Sequence, residues 1–182
     1  MGISSRCLCA AVVFGVVMAM ATATWAASAA ADSPAIAALK RLALDKDPAS
    51  APALRAALAA EDPIARRLAI YGLQRIGNAA DGAAIRPLLN DPDPWVGRTA
   101  AIALGKLRDA GSAEALVGVL NADDLHLRYE AFIALARIGE PRTQKAILAA
   151  MDDPRLWTDL ASWDQAALVN VIDRPWFTDP AA

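Results

Sequence analysis

The side chains of this chain that could do chemistry recur in ladders. Asp62, Asp93 and Asp124 are spaced 31 residues apart, and so are Arg75, Lys106 and Arg137. Three carboxylates in register could gather a cation, and three bases in register could present a stripe to an acidic partner. Each ladder also has a simpler role. Each Asp stands just ahead of an apolar-periodic run, and Asp62 and Asp93 are followed by proline. That is the signature of a helix N-cap, worth ~1 kcal/mol. Each basic residue falls in the last turn of the helix so begun, where a cation offsets the helix dipole by ~0.3–1 kcal/mol. For the basic ladder the two roles are compatible.

His126 is the only histidine, and Asp123 and Asp124 beside it complete a metal-like trio. Contiguous residues of one loop seldom converge on one centre. Both cysteines, Cys7 and Cys9, lie near the N-terminus, so no thiol and no second imidazole stands elsewhere to complete a zinc-type site. His126 aligns with Ile64 and Trp95 at the 31-residue spacing, a variable column that suits an exposed edge. No Gly-x-Ser-x-Gly elbow, phosphate loop or dinucleotide fingerprint occurs. The pair Asp152-Asp153 reads as a loop and cap. The expectation is therefore no catalytic residue, no metal and no cofactor. The aromatic residues are better candidates, because Trp is enriched at binding hot spots. Trp157 and Trp163 are expected to cover the open end of the fold. Trp95 is the best candidate for an exposed contact, and Trp176 and Phe177 read as a docking peptide or an intramolecular lid.

The elements that must position these residues follow from one periodicity. Residues 61–153 repeat at 31: Ala69/Ala100/Ala131, Leu73/Leu104/Leu135, Ile76/Leu107/Ile138, Ile85/Leu116/Ile147 and Leu89/Leu120/Met151 form five apolar columns. A fixed period of this length marks a solenoid. Each copy reads as helix, turn, helix, loop. In the first copy the N-cap is Asp62, Gly77 ends the first helix as a C′ glycine would, and the second helix should start near Ala84, which leaves Pro87 in its first turn. Moving back 31 residues from Ile85 and Leu89 reaches Leu54 and Leu58, so residues 32–61 read as a degenerate N-terminal copy, opened by Ser33-Pro34. The register fades after Asp153, and residues 154–182 read as a capping helix and an aromatic tail.

Residues 1–31 stand apart. Arg6 is the only charged side chain there, followed by an Ala/Val-rich run and then by the small residues Ala26, Ala27, Ser28, Ala29, Ala30 and Ala31. This is the pattern of a secretory signal, with cleavage expected after Ala29 or Ala31. The alternative is an uncleaved anchor, since the uncharged run from Cys7 to Ala31 is long enough to span a bilayer. Cys9 lacks the preceding apolar-then-small run that lipoprotein processing requires. The formal charge of −2 argues against a basic nucleic-acid binder. Hydrophobic residues make up 56% but aromatics only 5%, so much of the apolar content is alanine, suited to closely packed helices.

The repeats resemble a known family. The middle copy reads Val96-Gly97-Arg98-Thr99-Ala100-Ala101-Ile102-Ala103-Leu104-Gly105-Lys106-Leu107, and the outer copies carry Arg66 and Arg128 with Ile76-Gly77 and Ile138-Gly139. This is similar to the short HEAT-like repeat of the phycobilin-lyase type. It departs from that pattern at Gly97, where the repeat usually has arginine, and Arg98 beside it is the candidate substitute. In such repeats an aspartate of the Asp62 type resembles the one that bridges to a neighbouring unit's arginine. The resemblance implies an all-α solenoid of about four two-helix units in a right-handed superhelix with a C-terminal capping helix. It also implies a non-catalytic protein–protein scaffold or adaptor, with a lyase-like or cofactor-handling subunit as the alternative. Solenoids bind through an extended concave surface. The candidate partner-binding residues are Arg86, Trp95, Arg128, Trp176 and Phe177, on second helices, inter-repeat loops and the tail. The expected partner is another protein, with no nucleic acid or small-molecule substrate, and a membrane only if the N-terminal segment stays uncleaved. The expected location is the bacterial periplasm or beyond.

Overall fold

The computed structural model describes residues 33–154. The signal segment, the expected capping helix with Trp157 and Trp163, and the tail residues Trp176 and Phe177 lie outside them. Packing divides the chain into Met1–Ala37 and Ala38–Ala182. The helix α1 (Pro34–Asp45) begins in the first unit, where the Ser33 hydroxyl accepts the Ile36 N–H at 3.3 Å as an N-cap. The other helices belong to the second unit: α2 (Ala51–Ala57), α3 (Pro63–Ile76), α4 (Gly82–Ile85), α5 (Pro94–Leu107), α6 (Ala113–Gly118), α7 (Leu125–Ile138) and α8 (Gln144–Met151). The described residues are all-α.

The three long helices α3, α5 and α7 start 31 residues apart and have 14 residues each. Local chemistry sets both ends. The Asp62 carboxylate accepts from the Ile64 N–H at 2.8 Å, Asp93 from Trp95 and Val96 at 2.9 and 3.1 Å, and Asp124 from His126 at 3.0 Å. The aspartate ladder is thus a set of N-caps. At the other ends, Gly77, Arg108 and Gly139 adopt left-handed backbone with φ of 82°, 51° and 73°, and Lys46, one period earlier, has φ of 54°. A left-handed residue reverses the chain into the next helix in every copy. Glycine does so without strain, whereas a side chain costs about 1–2 kcal/mol.

A short 3-10 turn follows each reversal, begun by an Asx-type cap in the first three cases and by Glu140, without a side-chain cap, in the last. Asp47, Asn78 and Asp109 accept the N–H of Ala49, Ala80 and Gly111. The second helices then differ in length, and one column accounts for it. Position 87 is proline, 118 glycine and 149 alanine. The α-helix there is 4 residues in α4, 6 in α6 and 8 in α8, and the first two continue as 3-10 turns over Arg86–Asn90 and Val119–Asn121. This corrects the expectation for the first copy. Pro87 is not in the first turn of an α-helix starting near Ala84. The α-helix instead stops at Ile85, because the ring lacks an N–H and would clash with the carbonyl of Ala83.

The apolar columns form one core. Ala69, Ala100 and Ala131, then Leu73, Leu104 and Leu135, then Leu54, Ile85, Leu116 and Ile147 are all fully buried. Each fully buried Leu or Ile contributes roughly 1.5–3 kcal/mol. Helix α5 packs between α3 and α7, so the middle copy is buried by both neighbours.

Candidate functional site

Two sets of charges emerge from this scaffold. The first lies in the seams between copies. Arg66 donates to Asp91 through two bonds of 2.8 and 2.7 Å and to the carbonyls of Ala60 and Glu61. Arg128 donates to the Leu120 carbonyl at 2.8 Å and to Asp153. Position 97 lacks the arginine, and position 122, one period on from Asp91, is Ala122. Both members of the pair are missing together. A Cβ at Gly97 would stand 3.1 Å from the Leu89 carbonyl oxygen, so backbone packs there in place of a guanidinium. Arg98 takes over by a different route, donating to Asp124 at 2.7 and 2.8 Å. Asp124 therefore caps α7 and bridges copies at once, as the resemblance implied for an aspartate of this ladder.

Burial pushes the Asp91 carboxyl up. The Arg66 hydrogen bonds, the Asp93 N–H and the Arg66 charge outweigh it and hold the group below its ordinary range. At Asp124 burial likewise acts upward and is overcome by the Arg98 bonds, the Leu127 and His126 N–H groups and the Arg98 charge.

A second seam joins the short helices. Arg55 donates to Asp81 at 2.6 Å, and Arg86 to Ser112 and Asp109 at 3.1 Å each, while the Ser112 hydroxyl donates to Asp109. Asp81 and Ser112 belong to a column of buried polar residues at the 31-residue period, Ser50/Asp81/Ser112/Thr143. That column was readable in sequence by the same register as the apolar ones. It escapes notice because its residue types differ from copy to copy.

These seams revise the candidate residues. Arg128 is 3% exposed and its guanidinium is held by Leu120 and Asp153, so it serves first as a tie within the fold, at the edge of a hollow of about 460 Å³ that it shares with Asn121 and Asp152. Arg86 is partly exposed but engaged with Asp109 and Ser112. Both arginines join copies to one another, and the candidate surface moves away from them.

The second set of charges lies on the exposed side of α3, α5 and α7. Trp95, in the first turn of α5, is 56% exposed. The guanidinium of Arg98 stands 4.8 Å and that of Arg67 5.6 Å from its ring centroid. Such cation–π contacts contribute ~0.5–1 kcal/mol each at exposed sites and fix the indole in place. The Thr99 hydroxyl donates to the Trp95 carbonyl at 2.6 Å. Two adjoining hollows of about 320 and 310 Å³ meet here, sharing Arg67 and Thr99. One runs along Ile64, Leu68 and Tyr71, and the other past Trp95 and Ile102 to His126 and Glu130. The structure thus brings Trp95 together with Ile64 and His126, the variable column, on one groove, and all three are exposed. At its far end Arg75 donates to the Tyr71 hydroxyl at 3.1 Å, with its guanidinium 5.5 Å from that ring. The sequence reading misses Arg67 and Tyr71, although Arg67 shares its column with Arg98 at the 31-residue spacing; Tyr71 falls opposite Ile102 and carries no such identity.

Among the described residues no group of three or more His, Cys, Asp or Glu side chains is arranged to hold a metal ion. None of the described helices is long and apolar enough to cross a membrane. This arrangement of paired helices, with repeating caps and a shared core, defines an α-solenoid. The sequence profile of HEAT repeats matches residues 51–124 and again 82–162, more than half of the chain. The chain belongs to the HEAT-repeat family. A solved engineered protein is similar to it at 26% identity with a TM-score of 0.49, covering 68% of this chain and 62% of that one, so the match takes in less than two thirds of that protein's length. No curated protein matches the chain.

Proposed function

We propose that the protein is an exported, non-catalytic scaffold or adaptor that binds a partner protein across the exposed face of α3, α5 and α7. HEAT repeats commonly mediate protein–protein interaction, and solenoids supply extended surfaces for it. The observation that carries the reading is Trp95: a large aromatic held half-exposed by two guanidiniums at the meeting point of two grooves. An aromatic flanked by arginine is the composition of an interface hot spot. The alternative, a lyase-like or cofactor-handling subunit, calls for a pocket with convergent polar groups. The groove is instead open and lined by Ile64, Leu68, Tyr71, Trp95 and Ile102 between charges, which favours the scaffold.

Photo-crosslinking tests the assignment. A photoreactive residue at Ile64, Tyr71 or Ile102 should trap the same partner in the periplasm, and one at Ala83 or Ala84 on α4 should not. Trapping only from α4, or from neither face, overturns it. N-terminal sequencing of the exported protein tests the signal; a chain that retains Met1 in the membrane fraction would replace export by anchoring.

A further inference from the structure

The acidic side chains of the described solenoid are concentrated in its seams. Arg55, Arg86 and Arg98 each pair with an aspartate of the next copy, Arg66 and Arg128 pair with Asp91 and Asp153 at the close of their own copies while donating to carbonyls of the preceding one, and Arg142 pairs with Glu114 and Glu140. On the exposed face of the long helices the pattern reverses. Arg67, Tyr71 and Arg75 follow one another at i, i+4 and i+8 on α3, and Arg98, Ile102 and Lys106 do so on α5. Residues at this spacing share one helix face, here about 12 Å long. Among the described residues no carboxylate pairs with Arg67, Arg75 or Lys106. Of the side chains lining the groove only Glu130 is acidic, and it is already engaged. The phenol of Tyr71 registers the resulting field. The Arg75 hydrogen bond and charge, with Lys106 and Lys46 behind them, pull it below the ordinary tyrosine value.

We infer that this face takes an acidic segment of the partner protein, its carboxylates against Arg67, Arg75 and Lys106 and an apolar side chain against Trp95. The inference rests on the protein-binding reading and specifies the partner's chemistry. Charge complementarity favours this occupant: the protein is net negative, yet Arg67 in this groove, with Arg75 and Lys106 further along the same helix faces, has no carboxylate partner among the described residues. The apolar strip Ile64, Tyr71, Trp95 and Ile102 between those cations asks for apolar residues interspersed with carboxylates. A nucleic-acid backbone would call for a broad basic surface, and the chain's overall charge does not provide one.

The test uses the exported full chain and two fluorescein-labelled peptides, one alternating Glu with Leu around a central Phe, the other identical but with Gln for Glu, followed by anisotropy. The Glu peptide is expected to bind about tenfold tighter than the Gln peptide, a gap that closes at high salt. Arg67→Glu with Lys106→Glu should abolish the preference without changing the unfolding midpoint, and Trp95→Ala should weaken both peptides. Equal binding of the two peptides, still weakened by Trp95→Ala, overturns the acidic partner while leaving the protein-binding reading intact. No binding by either peptide, or capture by phosphatidylglycerol vesicles that is lost in the double variant and unmatched by the Glu peptide, also overturns it. The protein-binding reading itself fails only if the crosslinks from this face fail.

Discussion

Arg66 and Arg67 are consecutive on α3 and meet different surroundings. The Arg66 side chain is 12% exposed and is held by Asp91, itself 4% exposed, and by two backbone carbonyls. Arg67 is exposed and stands over Trp95 with no carboxylate partner among the described residues. The helix turns about 100° per residue, so one side chain enters the seam between copies and the other faces the groove. In this protein the charges held by aspartates in the seams belong to the architecture. The charges without them are the ones available for recognition.

Replacing Arg128 by Ala should produce the largest effect. It removes the buried guanidinium that the Leu120 carbonyl and the part-exposed Asp153 share, and losing one partner of such a pair costs up to roughly 3–5 kcal/mol. The matched change Arg67→Ala should stay within about 0.5 kcal/mol, as for a surface residue. Urea unfolding of both variants checks the contrast, and equal losses would break the distinction between the two faces. Next in size, Trp95→Ala should lower partner affinity by roughly 2 kcal/mol with stability unchanged, read by crosslinking yield beside thermal unfolding.

Acid should act on the seams before the groove. The Asp91 carboxyl is depressed below the ordinary 3.8 in the folded protein. A group of this kind contributes stability above its unfolded pKa and loses that contribution as pH falls through the folded value. Stability should therefore decline from about pH 4 downward, and Asp91→Asn should cost about 1–3 kcal/mol at neutral pH while flattening that decline. Unfolding midpoints measured across pH 2–7 would show both. The smallest effect concerns the left-handed turn. Arg108→Gly should raise stability by about 1 kcal/mol, since glycine adopts that φ without strain and the turns at Gly77 and Gly139 already use it. A neutral or destabilising result would mean that the Arg108 side chain contributes to its seam.

Much of the fold was legible because its signals are local or strictly periodic. An N-cap such as Asp93 acts within three residues, and the Leu73/Leu104/Leu135 column announces itself by identity. The binding surface was less so. Trp95 was singled out correctly as exposed, but Arg86 and Arg128 were grouped with it although they are internal ties. Their partners lie 23 to 26 residues away, an offset that is not the period. The pairing also changes between copies: Asp91 serves Arg66, but Asp124 serves Arg98. The extent of α4 went astray for a nearer reason. One proline, set against the glycine and alanine of the same column, decides whether each second helix stays α-helical.

The sequence by itself determined the repeat, its helix ends and its core, because hydrogen bonds to the nearest backbone and burial of like columns need no knowledge of what lies across the fold. Only the tertiary structure decided which charges are consumed. A guanidinium reaches only its spatial neighbours, and stacking one copy on the next selects which aspartate is among them. What that selection leaves over is the cationic groove around Trp95.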